Sequence, residues 1–176
     1  HARNGIPGAT SLAIAQNVNK ARDLLEPGID WLNKEVDAGI RYMRGDHLFL
    51  LPNGAKVQLL GVNTYREAEK VRGYTPPFIT VEECGSYSPD LLQYLIEEGC
   101  AFSQIKWFGA GGRGTALIGT PGKRVRDYWH EQCLGKHGGS VHHATVYDNP
   151  HIPDPDGFIE WLLEQKNWTR ETPAFR

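Results

Sequence analysis

Two hydrophobic periods alternate along the chain. Solid apolar runs at residues 11–16 (SLAIAQ), 77–81 (PFITV) and 115–118 (TALI) are short enough for buried strands. Between them apolar residues recur every three or four positions. Asn17 opens such a stretch at residues 18–36, with Val18, Ala21, Leu24, Leu25, Ile29, Leu32 and Val36 on one stripe. Pro27 inside it predicts a break into two helices. Residues 47–51 and 56–60, separated by Pro52-Asn53-Gly54, predict a hairpin with an Asn-Gly turn. Residues 65–71 predict a short helix that Arg72-Gly73 ends. Ser88 and Pro89 predict a helix start, with Leu91, Leu92, Leu95 and Ile96 on one face. Residues 123–133 and 158–165 predict two more helices, and 141–146 a fourth strand. Strands alternating with helices predict an α/β fold with a mainly parallel sheet and an antiparallel hairpin.

Composition narrows the class. The 176 residues suffice for one domain, residues 1–176, and no internal repeat or low-complexity segment divides them. Formal net charge is -2, so a globally basic nucleic-acid binder is excluded and a DNA contact would rest on local patches such as Lys123-Arg124-Val125-Arg126. No run of about 20 apolar residues exists to span a membrane as a helix. Cys84, Cys100 and Cys133 are odd in number, far apart and without C-x-x-C spacing, which argues against a disulfide framework or zinc ribbon and for a reducing compartment.

The chemistry is concentrated where the second apolar run stops at Glu82-Glu83. Open α/β sheets bind ligands at the carboxyl ends of their strands. A first carboxylate there can hold the water shell of Mg²⁺, and a second can orient or deprotonate an attacking water. The ordinary alternative is a strand end with two solvated acids. Arg72, ten residues before Glu82, could act on transferring phosphate as an arginine finger, although exposed arginines are common. Gly119-Thr120-Pro121-Gly122 closes the next strand; Thr120 could bond to a γ-phosphate, or the segment is simply a turn into a helix. It is not a Walker A loop, because G-x-x-x-x-G-K-[ST] is not satisfied.

Other signals carry less. Gly109-Ala-Gly111-Gly-Arg-Gly114 spells G-x-G-x-x-G but precedes a strand instead of following one, so a dinucleotide fingerprint is rejected and a flexible loop, with Arg113 as a DNA contact, is the alternative. His130, Cys133, His137, His142, His143 and His151 fit no ligand spacing. No G-x-S-x-G elbow and no nucleophilic cysteine signature occurs. Trp107, Phe108, Trp129, Trp161 and Trp168 sit among apolar neighbours and are expected in the core.

Taken in order, the strand at 11–16, the hairpin around Pro52-Asn53-Gly54, Arg72-Gly73, Val81-Glu82-Glu83, Gly119-Thr120-Pro121-Gly122, Asn149-Pro150 and the 168–176 tail resemble the ATPase domain of tailed-phage large terminase subunits. The resemblance runs from about Thr10 to Arg176. It implies a three-layer P-loop NTPase-like fold of the ASCE type, incomplete at its N-terminus. Glu82 matches the Walker B acid, usually Asp in that family, and would hold Mg²⁺ through water. Glu83 matches the catalytic glutamate. Arg72 matches an arginine proposed to reach a neighbouring subunit's ATP. Gly119 and Thr120 match the coupling turn near the γ-phosphate. ATP and Mg²⁺ are the implied cofactors of the intact protein, and the Walker A loop and adenine-contacting segment would precede His1. The 166–176 tail would approach the linker to a nuclease domain that the chain does not include. Implied partners are double-stranded DNA, a portal protein and a small terminase subunit, with a homo-oligomeric ring in the cytoplasm of a bacterial host. The isolated chain is then expected to bind ATP poorly and turn it over negligibly. Two rival readings use the same residues: a fragment of another P-loop DNA-dependent ATPase such as a helicase, and a non-enzymatic α/β interaction domain.

Overall fold

The computed structural model describes residues 6–103, 114–119, 127–142, 144–150 and 152–166. Thr120, residues 109–113, the basic run 123–126, Trp107, Phe108, His143, His151 and the tail from 167 onward lie outside them. The described residues form one six-stranded sheet in the order β2-β3-β4-β1-β5-β6. The strands are β1 (Thr10–Ala15), β2 (Arg41–Met43), β3 (Leu48–Leu50), β4 (Lys56–Gly61), β5 (Phe78–Val81) and β6 (Gly114–Leu117). β1 lies between β4 and β5, parallel to both, and β6 extends the parallel set beyond β5. β2, β3 and β4 are antiparallel neighbours at the other side. The mainly parallel sheet with its antiparallel edge is as the sequence predicts.

Strand β1 shows why helices cover both faces. Leu12 and Ile14 point one way and Ala13 and Ala15 the other, and all four are buried. The small alanine side meets α1 (Val18–Val36), whose Ala21, Leu25, Ile29 and Leu32 join Phe49, Leu51 and Leu59 in one core. The Leu12–Ile14 side joins Ile79, Val81, Ala68, Val71, Leu91, Leu92 and Leu95 in a second core, under α2 (Tyr65–Val71) and α3 (Pro89–Tyr94). Three layers result, with the sheet in the middle.

Three local expectations are corrected, at Pro27, at 141–146 and at Trp161, and two predicted elements, the hairpin and the Ser88 helix, are extended. Pro27 does not break α1, which is continuous. Pro27 and Asp23, whose carbonyl would have been its partner, are both exposed, so that carbonyl is open to hydration and the lost bond costs little. The hairpin gains an outer strand, β2, whose Tyr42 packs on Phe49 with ring centroids 5.0 Å apart. The helix at Ser88 begins as predicted and extends further. It passes through a π-helical turn, Leu95–Cys100, into α4 (Ala101–Ser103). Residues 141–142 and 144–145 form no strand, and Val146–Asp148 is a 3₁₀ turn. There Thr145 N–H and Oγ1 donate to Asp148 Oδ2 at 2.7 and 2.8 Å, a local closure that competes with sheet pairing. Trp161 on α6 (Pro155–Lys166) is 53% exposed and stacks on Phe158, while Leu163 of that helix is buried. Trp129 on α5 (Tyr128–Cys133) is in the core, as expected.

Candidate active site at the carboxyl ends of β1, β5 and β6

The helices that follow β1 and β5 leave for opposite faces of the sheet: α1 covers the alanine side, α3 the leucine side. Neighbouring parallel strands whose helices diverge in this way open a crevice at their carboxyl ends. Glu82 and Glu83 stand at that crevice. Glu82 N–H continues the sheet by donating to Ile14 O at 2.8 Å. Cys84 N–H then donates to Ile118 O at 2.9 Å, so the chain shifts from a bond with β1 to a bond with the end of β6 across the acid pair.

The two acids occupy unlike surroundings. Glu82 is 8% exposed, and among the described residues no group donates to its carboxylate. Burial first, and the adjacent Glu83 charge second, push the Glu82 carboxyl above its ordinary range. Glu83 is exposed and sits in the left-handed region, at φ 52° and ψ 43°, where a residue with a Cβ is strained by about 1–2 kcal/mol. Its Oε2 accepts from Lys20 Nζ at 2.8 Å. Lys20 Nζ also donates to Gln16 Oε1 at 3.2 Å, and Gln16 Nε2 donates to Ser86 O at 2.9 Å. Ser86 Oγ closes the loop by donating to Glu83 O at 2.7 Å. The Lys20 and Glu83 side chains are 43% and 46% exposed, so their ion pair contributes only about 0.2–1 kcal/mol to stability.

Gly119 lies at the same edge. A methyl group on it would sit 2.8 Å from Cys84 N and 3.3 Å from Gly85 N, so the end of β6 approaches the backbone just after the acid pair as only glycine permits. A second close approach, Gly61 against Asn17, packs the end of β4 onto the start of α1, and the Asn17 side chain caps that helix by accepting from Lys20 N–H at 2.9 Å.

Glu82, Glu83 and Gly119 are therefore brought together, and Thr120 follows Gly119 outside the described residues. Arg72 is not brought to them. It caps the end of α2, which leads into the start of β5, while the acids leave that strand's other end, roughly 13 Å along for four residues. Its guanidinium bonds Glu98 at 2.5 Å, lies 3.8 Å from Glu69 and rests over the Tyr94 ring at 5.9 Å. Tyr94 in turn donates to Glu69.

Two other kinds of titratable group lie in the core on the leucine side of the sheet. Cys84 and Cys100 are buried thiols whose burial pushes each up to about 12, so they are inert at neutral pH. Tyr87 is buried with its hydroxyl unpaired, and burial raises it.

Sequence reading missed Gln16 and Lys20. One signal was available: a lysine in the first turn of a helix opposes the helix dipole, and α1 has no acid there to offset it. A local conflict of that kind marks a residue kept for another reason.

No protein-family model matches the chain, and no curated protein matches it in sequence. Solved structures do. The large terminase of a thermophilic bacteriophage matches with a TM-score of 0.67 at 12% identity, over 90% of this chain and 38% of that one. The same enzyme in complex with ADP matches at 0.69 and 12% identity. The large terminase ATPase domain of Thermus phage P74-26 matches at 0.63 and 14% identity, over 97% of this chain and 74% of that one. The chain spans 38% of the length of the first of these proteins. By its sheet order, layering and these superpositions, the chain has the fold of a large-terminase ATPase domain.

Proposed function

We propose that this chain is the acid-bearing part of a large-terminase-type motor, which hydrolyses ATP to move double-stranded DNA into a viral procapsid. The observation that supports the reading best is the pairing of one largely buried carboxylate, with no donor among the described residues, with one exposed, strained carboxylate at a sheet switch point, against a glycine that ends the next strand. Hydrolysis of a phosphoanhydride needs two acidic roles, and unlike surroundings assign them.

Glu82 suits a cation. A largely buried carboxylate that is raised by burial and has no donor among the described residues is relieved by positive charge, so Glu82 is the residue that would hold Mg²⁺ through its water shell. When bound, the cation supplies charge neutralisation at the β- and γ-phosphates. Glu83, exposed and in the left-handed backbone region, orients the attacking water and takes its proton. Thr120, the residue after Gly119, senses loss of phosphate and passes it on as movement. Arg72, at the opposite rim, acts on the ATP of a neighbouring subunit in a ring, after leaving Glu98. A portal protein and a small terminase subunit are the partners of such a motor, and the cytoplasm of a bacterial host is its place of action.

The test is steady-state ATP hydrolysis by the whole protein that carries this segment. Glu83→Gln is expected to lower kcat by ~10²-fold or more with little change in nucleotide affinity. Unchanged turnover in that variant overturns the reading. The 176-residue chain by itself has no G-x-x-x-x-G-K-[ST] segment to cradle phosphates and is expected to turn over ATP negligibly.

A further inference from the structure

Two adjacent carboxylates pose a problem that the proposed reaction must solve, and the inference here rests on that reading. A divalent cation offered Glu82 and Glu83 together gains by binding both, and a base that ligates metal is no longer free to act on water. Something has to keep the second acid off the cation.

The geometry points to Lys20. Its ammonium stands 2.8 Å from Glu83 Oε2, on the β1 side of the crevice, steadied by Gln16 Oε1 at 3.2 Å. Nothing comparable reaches Glu82 among the described residues. We infer that Lys20 is a positioning residue that sorts the acid pair: by occupying Glu83 it leaves Glu82 alone to take a divalent cation. Both partners of the ion pair are close to half exposed, so the contact can open when substrate arrives. Gln16 fixes the lysine from one side and, through Ser86 O, ties β1 to the loop that carries Glu83. Lys20 itself touches neither cation nor substrate in this arrangement and acts through Glu83.

Mn²⁺ binding to the 176-residue chain tests the sorting without any turnover, by water-proton relaxation for affinity and paramagnetic NMR broadening for location. In the wild-type chain, Glu82→Gln is expected to weaken Mn²⁺ about tenfold, and Glu83→Gln to leave it nearly unchanged. Lys20→Met should tighten Mn²⁺ and make that binding sensitive to Glu83→Gln, while Lys20→Arg restores the wild-type pattern. Because the ion pair is exposed, thermal melts of the Lys20 variants should match the wild type, which separates sorting from unfolding. Equal losses for Glu82→Gln and Glu83→Gln in the wild-type background overturn the proposal. So does a Lys20→Met chain that binds as the wild type does, or a lack of Mn²⁺ at the acid pair in every variant. The hydrolytic reading stands or falls separately, on ATP turnover by the whole protein carrying Glu83→Gln.

Discussion

Gly119 and Cys84 approach so closely that a methyl group on the glycine would lie 2.8 Å from the cysteine's backbone nitrogen. The same nitrogen donates to Ile118 O at 2.9 Å, so the contact cannot widen without losing a sheet hydrogen bond. Gly119→Ala is therefore expected to destabilise the fold by about 1–3 kcal/mol, the range for forced overpacking. Urea denaturation should show a lower midpoint with an unchanged slope, and a midpoint equal to the wild type would refute the close approach.

Glu83→Gly should do the reverse. Glycine occupies φ 52° without strain, so removing the side chain releases about 1 kcal/mol, less what the Lys20 ion pair contributed. The expected result is a small rise in the denaturation midpoint alongside lost hydrolysis in the whole protein. A stability cost at this position would mean that the side chain, and not the backbone, sets the local energy.

Tyr87 holds a buried hydroxyl with no partner. Tyr87→Phe removes a desolvated donor and keeps the ring, so it should be neutral or stabilising, by up to about 1–3 kcal/mol. A marked loss of stability on thermal denaturation would instead reveal a hydrogen bond to that oxygen.

Glu82 and Glu67 should give opposite pH signatures. Glu67 accepts from Asn63 N–H at 2.9 Å and Thr64 Oγ1 at 3.0 Å, and the Asn63 bond first, then Thr64, hold its carboxyl below the ordinary range. Its folded state thus favours the charged form, and the stability it adds is present above the ordinary carboxylate value and lost as pH falls through the depressed one. Glu82 is raised by burial, so its penalty is present above the raised value and disappears as pH falls to the ordinary one. At neutral pH, Glu67→Ala should lower and Glu82→Gln raise the melting temperature. Both differences should shrink in acid, and a Glu82→Gln effect that is constant with pH would contradict the assigned cause.

How much of this was legible beforehand differs by element. β1, β4, β5 and the span of α1, though not its continuity through Pro27, follow from periodicity and from Asn17 and Asn53-Gly54, because period and turn chemistry are local. The acid pair was legible as a strand ending in two carboxylates. β2 was not, since Arg41-Tyr42-Met43 has little pattern and is a strand only because β3 offers it an edge. The 141–146 run misled for the opposite reason: its residues suit a strand, but the Thr145–Asp148 capping box satisfies the backbone locally.

By itself the sequence determined the α/β class, the succession β1, α1, β3, β4, α2, β5 and β6, and two acids at the end of β5, because each depends on residues near one another in the chain. Tertiary structure alone decided that Glu82 is buried and Glu83 exposed. It also decided that Gly119 closes on the acid loop, that Lys20, 63 positions from Glu83, pairs with it, and that Arg72 stands at the other rim. Those are relations between segments, set by which strands become neighbours and which face each following helix takes, and no local propensity encodes them.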